Sequence, residues 1–298
     1  MEKILCLHHN DHDGHTAGAI VRRKYQEAKM IEMNYGKEIP WDLINESDII
    51  IIVDYSLALK DMQKIHEERT LVWIDHHVSI IKEAEEADFN PEGVRCIGKS
   101  GCRLCWEYYF PTEDIPYIIN YLANFDVHDF SDTLDKLESK ALIVEYGMRL
   151  YDTSPMNDHL WKMIFDNEEA CIKRIIRDGD IIWKYQRIED EYFIRTNAFE
   201  AMLGPYKCLV VNHGIGSSLA FDELWDNSKY DIMVNFHVAV HQIKVSMYSD
   251  ENGPDVAAIC RKFGGGGHEH ASGFSIDAPL QDFYDKIGLK RIEELEEE

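Results

Sequence analysis

The chain is short of positive charge and has no long hydrophobic run. Among its 298 residues, 31 are Lys or Arg and 55 are Asp or Glu, so the formal net charge is −24. Proteins that bind long duplex nucleic acid use many Lys and Arg contacts to phosphates, and this balance therefore argues against such a partner. The longest apolar run, Ile49–Val53, is too short to span a bilayer, so we expect no membrane association.

The sequence also lacks a disulfide framework, a signal peptide and several common catalytic motifs. Its seven cysteines are odd in number and irregularly spaced, which favours a reducing cytoplasm. The apolar stretch at residues 4–7 is much shorter than the apolar segment of a signal peptide. No P-loop, GxGxxG or GxSxG motif occurs, so kinase-like, dinucleotide-cofactor and serine-hydrolase functions have no support. We therefore expect a soluble cytoplasmic protein.

Short β-rich runs alternate with helical patterns in the first half of the chain. Strands are predicted at residues 3–8, 48–53 and 71–74, and helices at 14–25 and 59–68. Continuous apolar strands that alternate with helices indicate an α/β fold, in which a parallel sheet has helices on both faces.

Helical patterns dominate from about residue 103 to 195, and a second β-containing part follows. The pattern at 168–194 is long and carries both signs of charge, which is typical of a connector. Predicted strands at 207–212, 231–238 and 242–248 indicate a smaller mixed-sheet α/β domain. The expected organisation is a catalytic domain at 1–166, a helical connector at 167–195 and a substrate-binding domain at 196–298.

One segment near the amino terminus is rich in metal-ligand residue types. It reads His9-Asn10-Asp11-His12-Asp13-Gly14. In an extended segment, residues two apart share a side, so His9, Asp11 and Asp13 point the same way just beyond the first strand. One imidazole and two carboxylates suit Mn²⁺ or Mg²⁺ better than a thiolate-seeking metal. Alone, the segment fits a polar loop with chance histidines equally well.

Further acids and histidines follow the next two predicted strands. Asp54 ends one of them, and Asp75, His76 and His77 end the other. Ligands of parallel sheets bind beyond the carboxyl ends of the strands, so these side chains are expected at one edge. So many carboxylates would repel one another strongly at short range, and divalent cations would remove that repulsion. Two metal ions fit this number of ligands better than one.

A glycine run near the carboxyl terminus is a candidate anion site. It reads Gly264-Gly265-Gly266-Gly267-His268 and continues to Ala271-Ser272-Gly273. Glycines let backbone N–H groups approach an anion closely, and His268 can donate a hydrogen bond or carry positive charge. A flexible hinge explains the run equally well.

Together these segments carry a family resemblance. The segments His9–Gly14, Val53-Asp54-Tyr55-Ser56 and Asp75-His76-His77 resemble the first three motifs of the DHH phosphoesterases, and the glycine run resembles the glycine–histidine motif of the DHH-associated C-terminal domain. The family's fourth motif is an aspartate on a helix. Residues 120–126 resemble it and make Asp126 the candidate, with Asp129 and Asp132 nearby; His128 departs from the aromatic residue that relatives often have.

The resemblance implies a two-metal site with assigned ligands. One Mn²⁺ would be held by His9, Asp11 and Asp54, and the other by Asp13, Asp54, His76 and Asp126; Mg²⁺ or Co²⁺ are alternatives. Asp75 would orient a ligand histidine, His77 would face the substrate phosphate, and a hydroxide between the ions would attack phosphorus. His268 would act with them as the second domain closes over the cleft.

The resemblance further implies a small substrate. The related activities are those of nanoRNases, dinucleotide phosphodiesterases and phosphatases of 3′-phosphoadenosine 5′-phosphate, so a short oligonucleotide or small nucleotide is expected. Residues expected to bind it are Gly265, Gly266, Gly267, His268, Ser272 and Arg103. An inorganic pyrophosphatase or exopolyphosphatase is the alternative, followed by a catalytically inactive nucleotide-binding protein. A homodimer is a further expectation, and Cys102 and Cys105 are expected to pack in a helix rather than bind zinc.

Overall fold

The fold comes from a computed structural model that describes residues 2–214, 218–222, 224–239 and 242–277. The chain divides into two compact units, Met1–Lys184 and Tyr185–Glu298. The predicted three-part division at 166/167 and 195/196 stays a prediction.

A four-stranded parallel sheet forms the centre of the first unit. Its strands are β1 (Ile4–His9), β2 (Lys29–Met33), β3 (Ile49–Val53) and β4 (Thr70–Ile74). Their spatial order is β2-β1-β3-β4, and every neighbouring pair is parallel. The predicted parallel α/β architecture is therefore confirmed.

Helices surround this sheet. They are α1 (His12–Lys24), α2 (Trp41–Asn45), α3 (Leu59–Glu68), α4 (Val78–Glu86), α5 (Gly101–Tyr109), α6 (Tyr117–Asp126), α7 (Lys140–Met148) and α8 (Asp158–Phe165), with a 3₁₀ turn at Lys136–Glu138. The long helix α9 (Glu169–Asn197) corresponds to the predicted connector helix. None of the helices that the structure describes combines the length and the hydropathy that a membrane crossing needs.

Both faces of the parallel sheet are buried, which explains why its strands are continuously apolar. Cys6, Ile51 and Ile74 belong to the core that includes residues of α1, α5 and α6. The alternate positions, such as Leu7 and Ile52, belong to a second core shared with α3 and α4. Because side chains alternate between the two faces of a strand, helices on both faces require apolar residues at every position.

Strand β2 was missed by the sequence analysis, which treated β1, β3 and β4 as consecutive strands. The three strands are not consecutive in the sequence, because β2 lies between β1 and β3 along the chain. They are neighbours in the sheet, because β2 lies at the outer edge beside β1. Its sequence, Lys29–Met33, mixes charged and apolar residues, and only Met33 is buried. An edge strand with so little burial gives a weak hydrophobic pattern.

The second unit contains a mixed sheet of six described strands. They are β5 (Phe199–Leu203), β6 (Tyr206–Asn212), β7 (Ile232–Val238), β8 (Gln242–Tyr248), β9 (Gly266–His268) and β10 (Ala271–Asp277), in the order β5-β6-β7-β8-β10-β9. Only the β6–β7 pair is parallel among these described strands. Helix α10 (Val256–Arg261) packs on this sheet through Val256 and Cys260. The expected mixed sheet is confirmed.

Candidate metal centre

The carboxyl ends of three adjacent strands bring the predicted acids and histidines to one edge of the parallel sheet. β1 ends at His9, while Asp54 follows β3 and Asp75 follows β4 directly. Since β1, β3 and β4 are neighbours and parallel, their ends meet at the same edge.

The turn from β1 into α1 depends on Asp11 and Gly14. Asp11 is the N-cap of α1, and its Oδ1 accepts a hydrogen bond from the Gly14 backbone N–H at 2.8 Å. A Cβ at position 14 would lie 2.5 Å from the backbone oxygen of His9, so only glycine fits this close approach. The turn therefore fixes how His9 and Asp11 face each other.

The candidate ligands form two groups that meet at Asp54. In the first, His9 Nδ1 lies 2.5 Å from Asp11 Oδ2 and 3.9 Å from Asp54 Oδ2. In the second, His76 Nε2 lies 3.1 Å from Asp54 Oδ1, 3.5 Å from Asp126 Oδ2 and 3.9 Å from Asp13 Oδ2. Three sets of potential ligand atoms lie within 4.8 Å of one another: those of His9, Asp11 and Asp54, those of Asp54, His76 and His77, and those of Asp13, His76 and Asp126.

Asp54 occupies the centre in a strained conformation. It is 1% exposed, and its φ of 50° lies in the left-handed region that residues other than glycine seldom adopt. Its two carboxylate oxygens face different groups, Oδ2 toward His9 and Oδ1 toward His76. A carboxylate in this position can contact two cations at once.

Asp13 is held by the N-terminus of α5, which the sequence analysis did not anticipate. Its oxygens accept hydrogen bonds from the backbone N–H groups of Gly101 at 2.6 Å and Cys102 at 2.9 Å. Helix N-termini stabilise negative charge through these free N–H groups. A Cβ on Gly101 would lie 2.5 Å from Asp54 Cβ. The signal for this helix start was Ser100, an N-cap residue type directly before the glycine.

Asp75 is buried, and both of its carboxylate oxygens already have hydrogen-bond partners. Its Oδ1 lies 2.6 Å from His77 Nδ1 and accepts from the backbone N–H of His76 at 2.7 Å, while its Oδ2 accepts from Ser56 Oγ and from Trp73 Nε1 at 3.2 Å. Burial acts to raise the pKa of Asp75, but the hydrogen bonds, above all that with His77, outweigh it and leave the pKa below its usual value.

The histidine that Asp75 orients through its ring is His77. The resemblance implied that Asp75 orients a ligand histidine. The ring of His76, the proposed ligand, contacts Asp54 instead. Burial acts to lower the pKa of His77, and the hydrogen bond and charge of Asp75 outweigh it, so the pKa lies above its ordinary value. With Nδ1 engaged by Asp75, the other ring nitrogen of His77 is left for a further contact.

Asp126, the last residue of α6, is the acid of the fourth motif that joins the cluster. The competing Asp129 accepts hydrogen bonds from Ser131, and Asp132 accepts from Ser139 and Lys140. Burial, followed by the charges of Asp13, Asp11 and Glu145, raises the pKa of Asp126 to about 9. Glu145 is a buried carboxylate on α7, and its Oε2 lies 2.7 Å from His12 Nδ1. The sequence analysis missed it because its neighbours in space are distant in sequence.

The donor set fits divalent cations. Asp54 Oδ2 and Asp126 Oδ2 are buried and accept no hydrogen bond from the described residues. Burial and the charges of Asp13 and Asp11 raise the pKa of Asp54 well above its usual value. Unsatisfied carboxylate oxygens beside imidazole nitrogens are costly without a cation and are the ligands that Mn²⁺ and Mg²⁺ use.

The remaining predicted residues have other partners. Arg103 Nη2 donates to Asn120 Oδ1 at 2.7 Å and to Asn124 Oδ1 at 2.9 Å, so its guanidinium engages α6. Cys102 and Cys105 are fully buried in the core, as expected.

The glycine run lies in the second unit, where it forms β9 and the turn into β10. His268 is exposed, and its backbone oxygen accepts a hydrogen bond from Ser272 Oγ at 3.0 Å. A Cβ on Gly265 would lie 2.1 Å from the backbone oxygen of Gly273, which explains a glycine there. The substrate-binding roles of Gly265, Gly266, Gly267, His268, Ser272 and Arg103 stay predictions.

Known proteins share both sequence and fold with this chain. Uncharacterized protein R106 of Acanthamoeba polyphaga mimivirus is 24% identical over 258 residues, which make up 82% of this chain and 56% of that protein, so the chain spans about half the length of this relative. The structure of the pGpG-specific phosphodiesterase PggH from Vibrio cholerae is 14% identical with a TM-score of 0.53, covering 96% of this chain and 97% of that one. The DHH domain of a member of the S1p family of ribosomal proteins is 12% identical with a TM-score of 0.61, covering 97% and 87%.

The family match covers the part of the chain that carries the first three motifs. Residues 3–125 match the family model described as the DHH family, N-terminal domain. That stretch contains His9, Asp11, Asp13, Asp54, Asp75, His76 and His77. The part of this chain that holds the parallel sheet and most of the acids and histidines of the cluster is therefore similar to the N-terminal domain of the DHH family.

Proposed function

We propose that this protein is a metal-dependent phosphoesterase that hydrolyses short oligonucleotides or small nucleotides, with Mn²⁺ as its cation. The observation that carries the proposal is the cluster of potential ligands around the buried, strained carboxylate of Asp54, whose oxygens face His9 on one side and His76 on the other. Paired divalent ions are a recurrent device for phosphoester hydrolysis, and the match of residues 3–125 to the DHH N-terminal domain supports the same reaction class.

The ligands proposed for the two ions are His9, Asp11 and Asp54 for one, and Asp13, Asp54, His76 and Asp126 for the other. When bound, the ions would supply Lewis acidity toward the phosphate and lower the pKa of a water molecule. Asp54 would be a ligand of both ions, through the oxygens that face His9 and His76. The N-terminus of α5 would keep Asp13 in place, since its oxygens already accept two backbone hydrogen bonds.

His77 is proposed to contact the substrate. Its Nδ1 is engaged by Asp75 at 2.6 Å, and its raised pKa favours the protonated ring. The protonated Nε2 can donate a hydrogen bond to a phosphate oxygen or a proton to the leaving oxygen. Asp75 would act on the reaction through His77, by fixing the orientation of its ring.

A small substrate is proposed from the charge of the chain and from one structural neighbour. With a net charge of −24, the chain suits a substrate that needs one local cation site better than a long strand that needs a basic groove. The neighbour PggH is described as specific for the dinucleotide pGpG. The glycine run with His268 is proposed to bind a second phosphate. A cytoplasmic location and a homodimer also remain predictions.

A substrate panel tests the proposal. We expect hydrolysis with Mn²⁺ of a dinucleotide, a five-nucleotide RNA, a cyclic dinucleotide or 3′-phosphoadenosine 5′-phosphate, at a rate well above that of a 24-nucleotide RNA. Asp54→Asn is expected to reduce turnover at least about 100-fold at any Mn²⁺ concentration, because it removes a shared ligand. Asparagine tolerates a positive φ, so this variant preserves the backbone preference.

The matched control is Asp88→Asn. Asp88 also has a positive φ, of 52°, but it is exposed just after α4 and belongs to none of the potential ligand groups. Its variant should retain full activity. Full activity in Asp54→Asn would contradict the two-metal site, a preference for the 24-nucleotide RNA would contradict the small substrate, and a preference for pyrophosphate or polyphosphate would favour the alternative activity. Absence of tight Mn²⁺ uptake in calorimetry would indicate an inactive binding protein.

A further inference from the structure

An aromatic cavity lies next to the metal cluster and none of the roles assigned above uses it. It has a volume of about 410 Å³, within the range typical of small-molecule sites. Tyr35, in the turn after β2, and Tyr55, directly after Asp54, line one part of it. Lys37, Asp61 and Ser79 are among its polar lining residues.

The two tyrosine rings and the His9 ring form an aromatic cluster. The ring centroids of Tyr35 and Tyr55 are 5.3 Å apart with an interplanar angle of 43°, and those of Tyr35 and His9 are 5.9 Å apart with an angle of 59°. Tyr55 and His9 are nearly parallel, with an interplanar angle of 17° and a centroid separation of 6.2 Å. Tyr35 therefore contacts a candidate metal ligand and also lines the cavity.

The two tyrosines differ in their exposure to solvent, which indicates a packing role for Tyr55 and leaves the Tyr35 ring accessible to a ligand. Tyr55 is 4% exposed, so packing accounts for it. Tyr35 is 61% exposed although its ring is large, and it borders the open cavity. An open aromatic face close to a position that would hold a phosphate is an arrangement with which proteins stack nucleobases without reading their sequence.

We propose that this cavity is a nucleobase subsite, in which Tyr35 stacks on the base of a nucleotide whose phosphate lies at the metal cluster. The exposed ring of Tyr35 offers one flat face to a base, and Lys37, Asp61 and Ser79 supply donors and acceptors of the kind that a base edge pairs with. The position of the phosphate at the metal cluster rests on the proposed function. Stacking on the base does not, and it can be measured separately.

The experiment is a fluorescence titration of the full chain with 2-aminopurine riboside 5′-monophosphate in the presence of Mn²⁺. The emission of this base is quenched when it stacks on an aromatic ring. We expect saturable quenching by the wild-type protein, and Tyr35→Ala should weaken the affinity by about tenfold or more because one stacking contact is lost. Tyr35→Phe keeps the ring and should stay within about twofold of wild type.

The controls test whether the base itself is recognised. Tyr192→Ala removes an equally exposed tyrosine, 70% accessible on α9 and outside the cavity lining, and should bind like wild type. Adenosine 5′-monophosphate should displace the probe, while ribose 5-phosphate, which lacks the base, should compete at least about tenfold less well. Circular dichroism of Tyr35→Ala checks that the variant is folded.

The outcomes separate the subsite from the catalytic proposal. Unchanged affinity in folded Tyr35→Ala, or equal competition by ribose 5-phosphate, would overturn the subsite even in an active phosphoesterase. Quenching that depends on Tyr35 in a protein that hydrolyses nothing in the substrate panel would support the subsite and reject the proposed function.

Discussion

Asp126 illustrates how the cluster affects a single carboxyl group. Burial and the nearby acids raise its pKa to about 9. In the absence of divalent cations, the folded chain therefore holds a proton between about pH 4 and pH 9 that the unfolded chain has lost. Because the folded state binds more protons in this window, the free energy of unfolding should fall as pH rises through it.

The prediction is that Asp126→Asn makes the stability in EDTA less dependent on pH. Each proton bound only by the folded state contributes a slope of at most about 1.4 kcal/mol per pH unit, and the variant should lose up to this amount. Chemical denaturation in EDTA at several values between pH 5 and pH 8.5 measures it. Exposed Asp88→Asn should keep the wild-type slope, and an unchanged slope in Asp126→Asn would mean that Asp126 is ionised in the folded protein.

At the scale of secondary-structure elements, the sequence predicted the strand ends but not the helix that supports them. His9, Asp54 and Asp75 could be found because each follows a short, strongly apolar strand, and parallel strands end at one edge. The contact between Asp13 and α5 could not be found from the sequence, because it joins residues 88 positions apart whose pairing depends on packing. Asp126 was found only through the family resemblance. Asp129 and Asp132 have other hydrogen-bond partners, which distinguishes them from Asp126.

The N-terminus of α5 gives a prediction at this same scale. Gly101→Ala would place a methyl group 2.5 Å from Asp54 Cβ and displace the N–H that binds Asp13. We expect a loss of stability of about 1–3 kcal/mol from the steric clash, together with weaker Mn²⁺ binding. Calorimetry with Mn²⁺ and thermal unfolding measure the two effects.

Gly214→Ala is the matched control, because no atom of the described residues beyond its chain neighbours lies within 4 Å of the Cβ that it would add. This variant should bind Mn²⁺ like wild type. Normal Mn²⁺ binding by Gly101→Ala would show that the helix N-terminus does not position the ligands.

At the scale of the whole molecule, the net charge of −24 has two different physical meanings. Five of the acids, Asp11, Asp13, Asp54, Asp75 and Asp126, gather at the edge of the parallel sheet. Burial of Asp13, Asp54 and Asp75 limits the screening of their charge by water, and the pKa values of Asp54 and Asp126 rise. Most of the other acids in the described part of the chain are exposed, on helices and in loops, where water and salt screen their charge.

This distinction predicts how divalent cations stabilise the protein. A ligand that binds only the folded state at 100 times its dissociation constant adds about 2.7 kcal/mol of stability, so Mn²⁺ should raise the thermal midpoint above that in EDTA. Sodium chloride at equal ionic strength should not reproduce this rise, because Asp13, Asp54 and Asp75 at the centre of the cluster are buried. Scanning calorimetry should show the rise in Asp88→Asn and little of it in Asp54→Asn. An equal rise in both variants would mean that Mn²⁺ binds the dispersed surface acids, and the buried cluster would then not be the metal site.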